Sequence, residues 1–173
     1  MRNPVASLLL LVLLASSALA EDVPAKPTRL VTDNAGVLTS HDVTELEQHL
    51  ARISKHGLAQ AIVYIDRTVP PSEDLEAYTL RLANTWGVGS AERNDWVVLF
   101  VFVDDRRMRI EVGKGLEEVL TDEAAKGIID NELRPAFRDG RFAFGLVRAL
   151  DSIARTLDGG RSGKKLWRTA PGH

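Results

Sequence analysis

The sequence predicts an α/β domain on a small mixed β-sheet, with one parallel β-α-β unit joined to an antiparallel hairpin. Three observations predict it. Val97 to Val103 is an unbroken apolar run rich in β-branched and aromatic residues, the composition of a strand covered on both faces. Met108, Ile110 and Val112 then alternate with Arg107, Arg109 and Glu111, the period of a strand with one dry and one polar face. A strand-like run, Leu58 to Ile65, precedes a helix-periodic stretch and then the central run, so those two strands are expected to be parallel with a right-handed crossover.

In chain order, Arg2 and the Leu-rich stretch Val5 to Ala15, followed by Ala18-Leu19-Ala20, have the form of a secretory signal. Cleavage is expected after Ala20, giving an exported, periplasmic or secreted chain with no stable membrane anchor. Residues 21–29 are Pro-punctuated and predict a mobile leader. Leu30 to Leu38 opens the domain, with turn chemistry at Asp33-Asn34-Ala35-Gly36. Thr39 or Ser40 is the expected N-cap of a first helix whose inner face is Val43, Leu46, Leu50 and Ile53, ending at Gly57. In the next strand Ala59, Ala61, Val63 and Ile65 share one face, and Ile62 and Tyr64 the other. After Pro70-Pro71, Ser72 is the expected cap of a second helix buried through Leu75, Tyr78, Leu82 and Trp86.

The Gly87–Asp95 loop leads into the central strand, which turns at Asp104–Arg107 and returns to Gly113-Lys114-Gly115. Thr121-Asp122-Glu123 starts a third helix that Pro135 must kink or shorten. A last helix carries Phe142, Leu146, Leu150, Ile153 and Leu157 inward, with Gly159-Gly160 as its expected end and 159–173 as a disordered tail. The domain is thus expected over 30–158.

Composition narrows the function. There is no cysteine, so disulfides, thiolate nucleophiles and cysteine–zinc sites are excluded. Loss of Arg2 with the leader takes the basic count from 22 to 21 against 24 acids, a net charge of −3, which offers nucleic acid no broad basic surface. His41, His49 and His56 all fall on the first helix, where a solvated face is the plainer reading and a weak metal site on His49 and His56 the sharper one. Asp104-Asp105-Arg106 lacks the spacing of an aspartyl-phosphate enzyme and suits a hairpin turn; Gly113-Lys114-Gly115 is too short for a phosphate loop.

The ordered series Val31-Thr32-Asp33-Asn34-Ala35-Gly36-Val37-Leu38, Trp86-Gly87-Val88-Gly89, Asn94-Asp95, Arg109-Ile110-Glu111-Val112-Gly113-Lys114-Gly115-Leu116-Glu117 and Leu120-Thr121-Asp122 resembles the TPM domain, over about residues 29–158. That family includes exported bacterial proteins, a thylakoid lumen protein of photosystem II repair and an auxiliary protein of a nematode acetylcholine receptor. The resemblance implies a three-layer α/β/α sandwich. Some members are described as acid phosphatases, and some bind calcium or other divalent ions through loop acids, so the resemblance raises both expectations here. Asp33, Asp95, Glu117 and Asp122 stand at the matching positions and form the candidate metal set; each also has a structural reading, as a turn cap, a helix-dipole partner or a solvated acid. The chain departs from the family in having Trp96 where a glycine often stands. It ends without the transmembrane helix and Gly-rich tail of many bacterial members, so a free soluble form is expected.

The leading expectation is an exported binding or auxiliary module in envelope-protein maintenance, with an unidentified envelope protein as partner. Its competitor is a metal-assisted phosphomonoesterase. A third reading places a peptide strand along the hairpin edge.

Overall fold

Residues 96–102 are apolar without exception, and such a segment is stable in water only when both faces are covered. A computed structural model describes residues 23–90 and 92–168, with side chains through Gly160. The expected signal and cleavage site, and the last five residues of the expected tail, lie outside the described residues. The apolar run forms β3 (Trp96–Phe102), buried at every position. It pairs in parallel with β2 (Gln60–Asp66) and antiparallel with β4 (Arg107–Val112), as the hairpin and crossover required. A further strand, β1 (Val31–Asp33), adds a second parallel pairing, so the sheet order is β1-β2-β3-β4. Its short span and the turn residues after it carry no periodicity, and only pairing with β2 makes it a strand.

Helix α1 (Ser40–Lys55) is capped by Thr39. The Thr39 hydroxyl accepts from the Asp42 amide at 3.2 Å, and the Asp42 carboxylate accepts from the Thr39 amide at 2.8 Å, a reciprocal capping box. Helix α2 (Leu75–Trp86) is capped by Asp74, not by Ser72 as expected. Residues 71–73 form a turn whose Glu73 amide donates to the Pro70 carbonyl, and Asp74 is the first acid free to accept from the Glu76 and Ala77 amides.

Helix α3 (Asp122–Ile128) widens into a π-turn at Ile129–Leu133 before α4 (Arg134–Arg138). Pro135 has no amide to donate, and the wider turn accommodates its ring. Helix α5 (Phe142–Arg168) passes through Gly159 and Gly160 instead of ending there. A Cβ at Gly160 would overlap the Val119 side chain, so this glycine serves a close approach within the helix.

Residues 23–29, expected as a mobile leader, are pinned to the domain. The Trp86 indole donates to the Pro24 carbonyl at 2.8 Å, Lys26 donates to the Gly87 carbonyl at 3.2 Å, and Arg29 pairs with Glu47 at 2.9 Å.

Two cores lie on opposite faces of the sheet, giving three layers. On one face Ala61, Val63, Ile65, Val97, Leu99 and Val101 pack with α1, α3, α4 and α5. On the other Tyr64, Val98, Phe100 and Phe102 pack with α2 around an aromatic cluster in which Trp86 stacks on Phe100. Each of these fully buried aromatic side chains contributes roughly 2–3 kcal/mol of transfer free energy. With both faces covered, chemistry is confined to two rims: the carboxyl ends of β1–β3, and the opposite, amino rim.

The amino rim is held by close backbone contact. Gly113 donates to the Trp96 carbonyl and Gly115 to the Asn94 carbonyl, while a Cβ at Gly115 would overlap the Arg93 carbonyl. Gly115→Ala is therefore expected to lower unfolding free energy by about 1–3 kcal/mol in urea melts. A wild-type midpoint would show that the 113–115 turn is not under steric constraint.

Candidate functional site

The parallel strands deliver Asp33 and Asp66 to the carboxyl rim, at the ends of β1 and β2. Asp33 closes the turn after β1: its Oδ1 accepts from the Gly36 amide at 2.9 Å and its Oδ2 from the Leu38 amide at 2.8 Å. Asp66 is the centre of a polar cluster. Its Oδ2 accepts from the Tyr64 hydroxyl at 2.8 Å and from the Asn34 amide group at 3.2 Å, and its Oδ1 from the Arg67 amide at 2.8 Å. Burial, and the hydrogen bond to Asp66, push the Tyr64 hydroxyl far above its ordinary value, so it remains a donor at neutral pH. Asp66 directly follows the strand-like run Leu58 to Ile65, which places it at that strand's carboxyl end, but no local pattern assigns it to a site. Asn34 follows β1 while Tyr64 and Arg67 belong to β2 and the residue after it, and only the parallel pairing of β1 and β2 brings Asn34 to Asp66.

The other three predicted acids are on the amino-rim connections. Asp95 is buried and accepts from the Ser90 amide at 3.2 Å and from the Arg93 guanidinium at 2.7 Å. Burial pushes its carboxyl up, but the Arg93 and Ser90 hydrogen bonds outweigh that and hold it below the ordinary carboxylate value. Glu117 is exposed in the turn after β4. Asp122 is exposed on the first turn of α3, and its charge acts on the Arg109 guanidinium. Trp96 is buried, with its indole over Gly89 and Gly113, and so packs the loop instead of offering a ligand platform.

The candidate set is therefore divided: Asp33 on one rim, Asp95, Glu117 and Asp122 on the other. Among the described residues, no three His, Asp or Glu side chains converge as a hard-cation cage would require. As they stand, these residues do not fit one shared ion.

A second buried acid lies between α2 and β4. Glu111 accepts from the buried Thr79 hydroxyl at 2.6 Å and from Arg109 at 2.7 Å, and Arg109 also reaches Glu76 at 3.2 Å. Arg109 thus pairs with strand and helix acids, as its position on the polar face implied. The hairpin tip is also as expected: Asp105 accepts from the Val69 amide at 2.7 Å and Asp104 lies 3.7 Å from Arg67. His49 faces Asp151 of α5 at 3.4 Å, which ties α1 to α5.

These features define a small open α/β domain whose connecting loops occupy two rims of a four-stranded mixed sheet. The chain belongs to the TPM domain family: that domain matches residues 31–156. It is similar to the N-terminal domain of a protein from P. gingivalis, at 35% identity and a TM-score of 0.69, covering 77% of this chain and 84% of that one. The BA42 protein of Bizionia argentinensis shares the fold at 19% identity and a TM-score of 0.63, covering 70% and 82% of the two chains. So does the N-terminal domain of the cg2496 protein of Corynebacterium glutamicum, at 15% identity and a TM-score of 0.57, covering 75% and 80%. No curated protein matches the chain. Among the described residues, no helix is long and apolar enough to cross a membrane.

Because the native Asp95 pKa is depressed, its contribution to stability is complete above the unfolded carboxylate value of about 4 and is lost as pH falls through the lower native value. Asp95→Asn is expected to be less stable than wild type at pH 7, with the gap closing in urea melts taken toward pH 3. A pH-independent gap would assign the loss to packing. Added calcium, magnesium, manganese or zinc is expected to leave the melting temperature of residues 21–173 unchanged after chelation. A saturable rise with one ion, lost in Asp95→Ala, would place a cation at the amino rim.

Proposed function

We infer that the chain is an exported TPM-domain module that works by binding, as an auxiliary to an envelope protein in its maintenance, with the loop rims as its contact surfaces. The observation carrying this reading is how the site acids are engaged. Asp33 holds the Gly36 and Leu38 amides, Asp95 holds Ser90 and Arg93, and Asp66 is satisfied by Tyr64, Asn34 and Arg67. Carboxylates used in this way shape loops, whereas a metal-assisted phosphomonoesterase needs several of them turned together toward an ion. Export is supported by the Arg2 and Ala18-Leu19-Ala20 pattern of the first twenty residues. The open edge of β4, last in the sheet order, is a surface that a partner's strand could extend.

The purified chain is expected to release no p-nitrophenol from p-nitrophenyl phosphate between pH 5 and 8, with or without divalent ions. Crosslinking in intact cells is expected to join it to an envelope protein. Ion-dependent turnover lost in Asp66→Asn, with the melting temperature kept, would replace this reading with the phosphomonoesterase.

A further inference from the structure

The carboxyl rim holds a second feature that the acids do not explain. Where β3 leaves the sheet, a cavity of about 460 Å³ opens between the hairpin and the start of α5. This is within the range of small-molecule sites, about 300–1,000 Å³. Its apolar wall includes Met108, Phe137 and Phe142, the two rings 4.9 Å apart and tilted. Arg106, Arg134 and Arg138, all exposed, also line it.

The positive charge here stands against a whole-chain net charge of −2. Arg134 is paired with Asp130 at 3.1 Å, with both side chains nearly half exposed. The side chains of Arg106 and Arg138 have no hydrogen bond or ion pair to any described residue. The acids of the neighbouring turns face other partners: Asp104 lies by Arg67, Asp105 holds the Val69 amide, and Asp139 pairs with Arg141. Three exposed cations gathered at one apolar opening raise the local positive potential, which favours an anion there.

The backbone adds an independent sign. Arg106 has a φ of +55°, in the left-handed region where glycine or asparagine is the ordinary occupant. An arginine held there at the tip of a tight hairpin puts a long cation over the cavity at a conformational cost.

We propose that this cavity binds a small amphiphile, its anionic head held by Arg106 and Arg138 and its apolar body lying on Met108, Phe137 and Phe142. The proposal deepens the binding-module reading and rests on it for its biological role. The head is a carboxylate or a phosphate, since guanidinium groups bind either through paired charge-assisted hydrogen bonds. Removing the body from water supplies the attraction, and the arginines select for charge.

The test is fluorescence titration of residues 21–173 with 8-anilinonaphthalene-1-sulfonate, followed by competition. Saturable one-site binding is expected, displaced by decanoate or decyl phosphate; which competes better identifies the head group. Decanol, without charge, and inorganic phosphate, without a body, are expected to compete at least tenfold more weakly. Arg138→Glu, at an exposed position that leaves the fold intact, is expected to weaken probe binding at least tenfold, and Arg106→Gly likewise. Phe144→Ser, removing an exposed ring outside the cavity, is expected to change nothing. Decanol competing as well as decanoate, or probe binding that survives Arg138→Glu and falls with Phe144→Ser, would overturn the proposal. Those results would leave the partner-binding reading standing, because crosslinking tests that separately.

Discussion

The rest of the structure depends on one constraint: β3 has no polar face. Val98, Phe100 and Phe102 look toward α2, and Val97, Leu99 and Val101 toward α1 and α5, so neither surface of the strand can meet water. A one-layer or two-layer arrangement would leave apolar side chains exposed along its length. Helices on both sides are the solution available to a strand of this kind, and they must be connected over the top and bottom of the sheet. The rims follow from that. Every loop long enough to carry function is displaced to one end of the strands or the other.

Within those rims, carboxylates mostly organise backbone. Asp33, Asp74, Asp95 and Asp105 each accept from amides that a turn leaves unpaired, so loops at the domain surface gain defined shapes. Glycines do the complementary steric work at the amino rim, where the Trp96 indole covers Gly89 and Gly113 and the Gly115 backbone approaches Arg93. Trp96 in place of the family's frequent glycine is accommodated because these neighbours lack side chains. The features that mark this chain as a TPM domain are thus, in large part, the features that hold its loops.

The two ends of the carboxyl rim differ in character. Over β1 and β2 it is acidic and internally satisfied, with Asp66 surrounded by donors. Over β3 and the hairpin it is apolar below and cationic above. The bridge between them is the 66–69 segment beside the hairpin: the Asp66 carbonyl accepts from Val103, the Arg67 carbonyl from Asp104, and the Val69 amide donates to Asp105.

Much of this was legible from residue order alone. The β3–β4 hairpin, the parallel crossover into β3, the faces of β2, the Thr39 cap and the break imposed by Pro135 follow from local patterns of polarity, branching and ring geometry. Those are one-dimensional properties, and neighbouring residues suffice to express them. What only the tertiary structure decided is which distant residues meet. The short β1 exists because β2 lies beside it, Gly160 lies within a helix because Val119 packs against it, and residues 23–29 are held because Trp86 and Glu47 are there to bind them. The same holds for the sites. Parallel pairing of β1 with β2 fixes Asp33 on the carboxyl rim, opposite Asp95; residue order, which puts Asp95 just before the central strand, does not by itself make Val31–Asp33 a strand. Nor does it gather Arg106, Arg134 and Arg138 from a hairpin and a helix into one cavity: convergence in space depends on strand direction and helix packing, which no local window contains.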